Sequence, residues 1–489
     1  MLQLESSDLI LSHAWIDNQK VSSSDQRTFT VEDPADGTTL ATLPDCGPVE
    51  ARAAVDAAQR AFVSWRALLA KERARHLQSW LAMVRKHAED LARLISLEQG
   101  KPLTESRGEV AYGADYIEWF AEEAKRVYGD IIPAPAQGRK ILVNKEPVGV
   151  AAAITPWNFP IALLARKIAP ALAAGCTIVA KPAEDTPLSA LALAYLAAQA
   201  GIPPGVINVV PASRERAGDV VDPWLDDARV RKLSFTGSTP VGKHLAERSA
   251  ATLKRLSMEL GGNAAFIVFD DADLDAAVKG LIASKFRNAG QTCICANRIY
   301  VADKVYAAFA AKLVEATAKL RVGRAGGDAE IGPLINAKAL AKVERHVANA
   351  TAHGARVLLG GKPHELGRFF YQPTVLADVD TSMDISCEET FGPVAPLFRF
   401  HSEEEVVAAA NATPFGLAAY FYSSDLARVM RVSGQLQAGI VGVNEGAIST
   451  EVAPFGGVKD SGYGREGSRY GMDDYLQTKY VCLGGLGPA

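Results

Sequence analysis

Three short stretches carry groups that can work on one reacting centre. Arg287-Asn288-Ala289-Gly290-Gln291-Thr292-Cys293-Ile294-Cys295 supplies a thiol, Thr155-Pro156-Trp157-Asn158-Phe159-Pro160 a carboxamide, and Met258-Glu259-Leu260-Gly261-Gly262 a carboxylate. A thiolate captures an electrophilic carbonyl carbon, and amide N–H groups hold the oxyanion that forms. A carboxylate activates the water that hydrolyses the resulting thioester. Each group also has a plainer reading. Cys293 also reads as a buried inert thiol, Asn158 as a turn former between Trp157 and Pro160, and Glu259 as half of a salt bridge. Against burial, the polar, glycine-bearing Gly290-Gln291-Thr292 is expected to expose Cys293. An unperturbed thiol titrates near about 8.5, so polar donors or a helix N-terminus must raise its thiolate fraction. Cys295 is not needed for the chemistry. It is expected to pack, or to close a disulfide with Cys293 under oxidation.

The elements that position these groups read as alternating strands and helices. Short strands and turns open the chain: Ala14 to Val21, then Thr28 to Asp33, with a hairpin turn at Asp36-Gly37. Helices are expected over Glu50 to Leu69, Ala70 to Glu98 and Thr104 to Val127. From Gly149 the apolar runs alternate. Strands are expected at Val148 to Ile154, Cys176 to Ala180, Val206 to Val210 and Lys232 to Phe235. Helices Ile161 to Ala174 and Thr186 to Ala200 lie between them. This rhythm predicts a doubly wound parallel sheet, whose ligand crevice lies at the carboxyl ends of its strands. Asn158, Lys181 and Thr236-Gly237 all fall just past such ends. A second α/β region follows, with a helix capped by Asp270-Asp271-Ala272-Asp273 and ending at Phe286. Strand Arg298 to Val301, helix Lys304 to Lys319, strand Arg356 to Leu359 and helix Glu403 to Asn411 come after it. Val127 to Val148 and Asp473 to Leu483 read as strands belonging to neither region.

A dinucleotide fingerprint is present in altered form. Gly237-Ser238-Thr239-Pro240-Val241-Gly242 keeps the first and last glycines of G-x-G-x-x-G and lacks the middle one. It follows a strand and opens a helix from Val241 to Ser249.

Taken together, these motifs resemble the aldehyde dehydrogenase superfamily, which oxidises aldehydes to acids with NAD or NADP. The likeness spans essentially the whole chain, including Pro454-Phe455-Gly456-Gly457-Val458-Lys459. It implies that Cys293 is the nucleophile, that Asn158 and the Cys293 N–H stabilise the oxyanion, and that Glu259 is the general base. It places Thr155, Pro156, Trp157, Gly237, Ser238 and Gly242 at the dinucleotide. Lys181 is expected at the adenosine ribose. Glu184 is expected to accept from a free 2′-hydroxyl and repel a 2′-phosphate, favouring NAD over NADP. Glu389 and Phe391 are expected at the nicotinamide ribose and ring. The implied architecture is a Rossmann-like NAD-binding domain (1–126 and 149–258), an α/β catalytic domain (259–469) and β oligomerisation segments (127–148 and 470–489). A homodimer or homotetramer is expected, although a local hairpin with a tail packed on its own subunit also suits the two segments.

Ser284 to Cys293, Phe266 to Asp273 and Asn444-Glu445-Gly446-Ala447-Ile448-Ser449 are similar to succinate semialdehyde dehydrogenases. The physics agrees. A planar guanidinium grips a carboxylate bidentately. Arg287 is six residues before Cys293 and Arg166 eight after Asn158, so both are expected to border one crevice, with Ser449 as a further donor. The plainer reading of each arginine is a surface or interdomain salt bridge. Glutarate semialdehyde or another short aldehyde is the alternative substrate. Transfer of the thioester to coenzyme A is a second reading, against which Glu259 argues, and a non-catalytic relative is a third.

Bulk properties narrow the setting. Hydrophobic residues are 48% and charged residues 22% of 489, with net charge −4 and no basic block. Nucleic acid and anionic membrane surfaces are therefore not expected partners. Met1 to Asp8 lacks the basic start of a secretory signal, and no apolar run approaches the ~18 residues of a spanning helix. Six scattered cysteines make no disulfide framework and eight scattered histidines no ligand set. A cytoplasmic protein without metal is expected.

Overall fold

A computed structural model describes residues 2–487; Met1, Pro488 and Ala489, the last two ending the expected segment 470–489, lie outside the described residues. Two sheets dominate, and both are mostly parallel. The first has eight strands. Its core runs, side by side, Arg255–Glu259, Val230–Thr236, Val150–Ile154, Thr177–Lys181 and Ile207–Val209. These five are parallel and nearly all their residues are buried, as continuous apolar runs require. The second sheet has seven strands, with Val394–Phe400, Ala296–Ala302, Ala264–Val268 and Ala418–Tyr422 parallel at its centre. The α/β architecture expected from the alternation is the one present.

Parallel register aligns the working ends. Thr236 pairs with Glu259, Phe235 with Ile154, and Ile154 with Lys181. Neighbouring parallel strands lie about 4.8 Å apart. Glu259, Gly237, Thr155 and Lys181 therefore leave the same edge of the sheet in a row. The four-residue link Leu260–Asn263 then joins this edge directly to the second sheet at Ala264. So short a link forces the two sheets to face each other across a cleft.

Helix boundaries follow the local chemistry. The helix Pro160–Ala174 starts on proline and ends at Gly175, whose φ of +99° suits glycine. Asp273 caps Leu274–Lys285 by accepting from the N–H groups of Asp275 and Ala276. The run Ala70 to Glu98, expected as one helix, is two: Ala70–Lys86 and Ala88–Gln99, broken at His87. The expected strand Ala14 to Val21 is a tight hairpin, turning on Asp17 and Asn18 at φ near +55°. Segment Asp130–Ile132, Lys140–Pro147 and the late strand Leu476–Leu483 form a separate antiparallel sheet within the chain. Within the expected catalytic stretch 259–469, Gly462–Tyr463 crosses back to pair with Met258–Glu259 of the first sheet. No described helix is long and apolar enough to cross a membrane.

The segment that carries the thiol is strained. Asn288, Ala289 and Gly290 are all left-handed, at φ of 52°, 55° and 75°. This turns the chain sharply between Leu274–Lys285 and Ala296–Ala302. A Cβ on Gly290 would stand 2.1 Å from the backbone oxygen of Gly392, in the neighbouring loop. Gly290→Ala is expected to lower stability by roughly 2–5 kcal/mol, from left-handed strain and overpacking together. An unchanged urea midpoint would show that the two loops separate at little cost.

Candidate active site

The two sheets enclose a cleft of about 360 Å³. Pro156, Trp157, Asn158, Gly237, Ser238 and Glu259 line it from the first sheet. Arg287, Cys293, Glu389, Phe391 and Ser449 line the other wall, and Arg166 reaches in from the helix after Asn158. The thiol, carboxamide and carboxylate singled out in the sequence thus share one space. Thr155, Lys181, Glu184, Gly242 and Cys295 do not line that space.

Cys293 is half-buried beneath a loop whose polar residues are not exposed: Gln291 is fully buried and Thr292 nearly so. The expectation that this polarity signals exposure is corrected. Gln291 is structural. Its Nε2 donates to Asn288 O at 3.1 Å, and its Oε1 accepts from Ile335 N at 3.0 Å. Cys295 packs, fully buried, with its Sγ 3.3 Å from Gly290 O. Burial pushes the Cys293 thiol up to about 12, with Glu389 and Glu259 adding to the rise and Arg166 opposing it. The enclosure does not by itself favour the thiolate, so a base must take the proton.

Asn158 is buried, and its Nδ2 donates to Gln291 O at 3.1 Å. An amide nitrogen carries two hydrogens, so this bond fixes the group and leaves one N–H for an oxyanion. Its Oδ1 has no partner.

Glu259 is 2% exposed and neither carboxylate oxygen has a hydrogen-bond partner. The salt-bridge reading fails, because Glu466 holds the nearby cations. Glu466 lies 2.5 Å from both Arg166 Nε and Lys167 Nζ. Burial raises Glu259 well above the carboxylate range, and the Glu466 charge raises it further, against Arg166 and Lys167. Glu466 itself is held low despite its burial, chiefly by Arg166 and Lys167. The two neighbouring carboxyls are thus pushed in opposite directions by their surroundings, Glu259 toward its neutral form and Glu466 toward its charged form. Glu466, between Gly464 and Gly467, gave no recognisable signal because its partners are some 300 positions away.

The carboxylate-binding expectation divides between the two arginines. Arg166 is almost fully buried against Glu466 and the Phe455 ring, yet its Nη2 has no hydrogen-bond partner. Arg287 is half-buried, 4.8 Å from the Phe159 ring centroid, and makes no ion pair among the described residues. Tyr112, not anticipated, lines the same end of the chain's cleft and hydrogen-bonds Tyr116 through their hydroxyls at 2.7 Å.

The residues present fit a dinucleotide. Gly237 and Gly242 keep the phosphate loop close to the sheet: a Cβ on either would meet Phe235 or Leu260 within 2.5 Å. The absent middle glycine is Thr239, whose hydroxyl donates to Asp460 O at 3.3 Å instead of clearing space for phosphate. Glu389 accepts from Gly262 N at 3.2 Å, and burial moves its carboxyl up to about 7. Phe391, at φ +56°, meets Trp157 edge to face at 5.6 Å. Lys181 is buried 4.0 Å from Glu184, and Glu184 also takes a 2.7 Å bond from Arg214 Nε. Burial raises Glu184, but Lys181 and Arg214 outweigh it and leave the carboxyl low. Arg214 was not foreseen, and it offsets the charge assigned to repel a 2′-phosphate. No described cluster of three or more His, Cys, Asp or Glu is arranged to hold a metal.

Known proteins agree with this geometry. Residues 21–481 match the aldehyde dehydrogenase family. A succinate-semialdehyde dehydrogenase [NADP(+)] of Escherichia coli is 57% identical, covering 99% of this chain and 100% of its own. A 3-sulfolactaldehyde dehydrogenase of Pseudomonas putida is 58% identical, and a glutarate-semialdehyde dehydrogenase of Pseudomonas aeruginosa 55%, each over 99% of this chain and all of its own. The crystal structure of succinate-semialdehyde dehydrogenase from Burkholderia pseudomallei superposes with a TM-score of 0.97 at 56% identity, covering 98% of this chain and 99% of that one. With a matching fold and sequence, the chain belongs to the aldehyde dehydrogenase family and is an enzyme that oxidises aldehydes.

Proposed function

We propose that the preferred substrate is a short semialdehyde bearing a terminal carboxylate, succinate semialdehyde ahead of glutarate semialdehyde. The observation that carries this reading is the guanidinium of Arg287, without an ion-pair partner among the described residues, in the same cleft as Cys293 and the spare Nη2 of Arg166. One methylene separates the two candidates, worth only about 1–3 kcal/mol in a pocket. A sulfonate, as in the aldehyde named for the P. putida relative, would meet the same guanidiniums.

In this reading Glu259 takes the Cys293 proton, and Sγ forms a bond to the aldehyde carbon. The carbonyl electrons move onto oxygen, held by Asn158 Nδ2–H and the Cys293 N–H. A nicotinamide held by Glu389 and Phe391 would supply the oxidant, taking up two electrons as hydride. The carbon reaches the thioester level as its C–H bond breaks and two electrons depart. Glu259 releases that proton to solvent and then deprotonates water, which adds to the thioester. The C–S bond breaks, the acid leaves, and Cys293 recovers its proton. Glu259 serves both proton steps because it is buried near the thiol without a competing partner. Water as acceptor makes coenzyme A unnecessary. Subunit pairing through Asp130–Pro147 and Leu476–Leu483, cytoplasmic residence and the domain boundaries given above remain part of the same proposal.

The test is a rate comparison over aldehydes with and without a terminal carboxylate, run with NAD and NADP and with assay of the free acid. Faster turnover of butanal than of succinate semialdehyde would end the substrate assignment and leave the family assignment intact.

Charge-assisted hydrogen bonds contribute roughly 1.5–3 kcal/mol each. Arg287→Ala should therefore raise KM for succinate semialdehyde about tenfold or more and leave butanal oxidation nearly unchanged. Equal losses on both substrates would mean that Arg287 supports the loop instead.

We read Glu184 as favouring NAD, with Arg214 weakening the discrimination. Glu184→Ser should raise NADP efficiency by about tenfold or more, since it removes the repulsion and frees Arg214 for a 2′-phosphate. Arg214→Ala should shift preference the opposite way. If neither variant changes the ratio, the 2′ position lies elsewhere.

Glu259 must be ionised to act, and burial raises its pKa. Turnover should thus climb with pH through a pKa well above that of an ordinary carboxylate. Glu259→Gln should lose this limb and most turnover; survival of the limb would assign it to another group.

A further inference from the structure

Behind Asn158 and the nucleophile loop lies a set of charges that the chemistry above does not use. Lys101 follows the turn at Gly100. Glu105 and Glu109 come next on the helix Leu103–Glu123, four positions apart and so on one face. Lys101 and Glu109 are completely buried and paired at 2.6 Å. Lys101 Nζ also donates to Asn158 O at 2.6 Å. The other Glu109 oxygen accepts from Ile161 N at 2.9 Å and Ala162 N at 3.3 Å, in the first turn of the helix that begins just after Asn158. Glu105 reaches the opposite wall, where both its oxygens accept from Asn288 N at 3.0 Å. Asn288 completes the ring by donating Nδ2 to Asn158 O at 3.1 Å. Phe159 is held between Lys101 Nζ at 3.9 Å and Arg287 Cζ at 4.8 Å from its ring centroid.

One helix therefore grips both walls of the oxyanion hole. Its first turn holds the backbone that carries the nucleophile, and its second holds the backbone that carries the carboxamide. Buried ion pairs are seldom better for stability than apolar residues of the same volume. What they add is direction, because each hydrogen bond here is aimed at one named backbone atom. An oxyanion needs both donors within hydrogen-bonding distance at once.

We propose that Lys101, Glu105 and Glu109 are positioning residues that set the gap between the Asn158 carboxamide and the Cys293 loop. The proposal rests on the roles given above to Asn158 and Cys293. It concerns the oxyanion and not the far end of the substrate.

The test needs neither cofactor nor semialdehyde. With 4-nitrophenyl acetate, Cys293 Sγ bonds to the ester carbon, charge collects on the carbonyl oxygen, and the C–O bond breaks to release 4-nitrophenolate. With iodoacetamide, Sγ bonds to carbon as iodide leaves, and no oxyanion forms. Acylation reads the hole, and alkylation, followed on the peptide that carries Cys293 because Cys387 and Cys482 are exposed thiols, reads the Cys293 thiol alone. Glu105→Leu should slow acylation about 10- to 100-fold, the range expected for a misplacement near 1 Å. The double variant Lys101→Met/Glu109→Gln should do the same, and it decides the matter if Glu105→Leu fails to fold, since it removes the paired charges together. Glu105→Gln keeps an acceptor for Asn288 N and should recover most of the rate. Alkylation should change little in all three.

Unchanged acylation in Glu105→Leu and the double variant would overturn the proposal. So would acylation and alkylation falling in step, which marks a displaced thiol. Acetyl from the ester found on another residue and absent from Cys293 in the unmodified protein would overturn the nucleophile assignment and this proposal with it. A preference for butanal would strike only the substrate reading.

Discussion

The hydrogen bond from Asn158 Nδ2 to Gln291 O, 3.1 Å long, is the interaction on which the site depends. Asn158 follows a strand of the first sheet, and Gln291 precedes a strand of the second. The bond ties the end of one sheet to the start of the other beside the cleft. Everything around it works to hold that point. The link Leu260–Asn263 is too short to let the sheets part. The left-handed run at Asn288–Gly290 aims the loop, and Gly290 and Gly392 touch through backbone alone. Gln291, fully buried, spends its own carboxamide on Asn288 and Ile335 and so keeps its carbonyl in place.

The second constraint is electrostatic. Arg166 and Lys167 are buried cations within reach of Glu259, yet Glu466 holds them both. That arrangement leaves Glu259 buried and unpaired. Burying a carboxyl without partners costs stability. The rule that buried polar groups are satisfied is broken here at the position where a base is wanted, and such local violations collect at functional sites. Burial likewise pushes Cys293 toward its neutral form. Cys293 and Glu259 are thus both held back from charge by burial.

The parts legible in the sequence were those encoded locally. Helix Glu403–Asn411 has the boundaries that its capping serine and apolar spacing specify, and the parallel strands stand where continuous apolar runs put them. The thiol, carboxamide and carboxylate were recognisable because each is embedded in a distinctive string. Local patterning misleads where two elements continue each other's period. Apolar spacing runs through His87 without interruption, so the break between Ala70–Lys86 and Ala88–Gln99 left no mark. It also misleads where polarity serves the interior: Gln291 looks like a surface residue and is a buried strut. Least legible were residues defined by distant partners. Glu466 meets Lys167 across 299 positions, Glu105 meets Asn288 across 183, and Arg214 meets Glu184 across 30. A carboxylate pair four apart on a helix, such as Glu105 and Glu109, reads as a solvated face until the fold turns it inward.

The central claim is that carbon is carried covalently on Cys293 between oxidation and hydrolysis. The most direct measurement is the intact mass of protein quenched in acid during turnover of succinate semialdehyde with NAD, followed by peptide mapping. The account predicts one succinyl group per chain, on the peptide containing Cys293 and absent from Cys295 and Cys387. Acid product formed at full rate with no acyl adduct at any quench time, or an adduct confined to another residue, would contradict it.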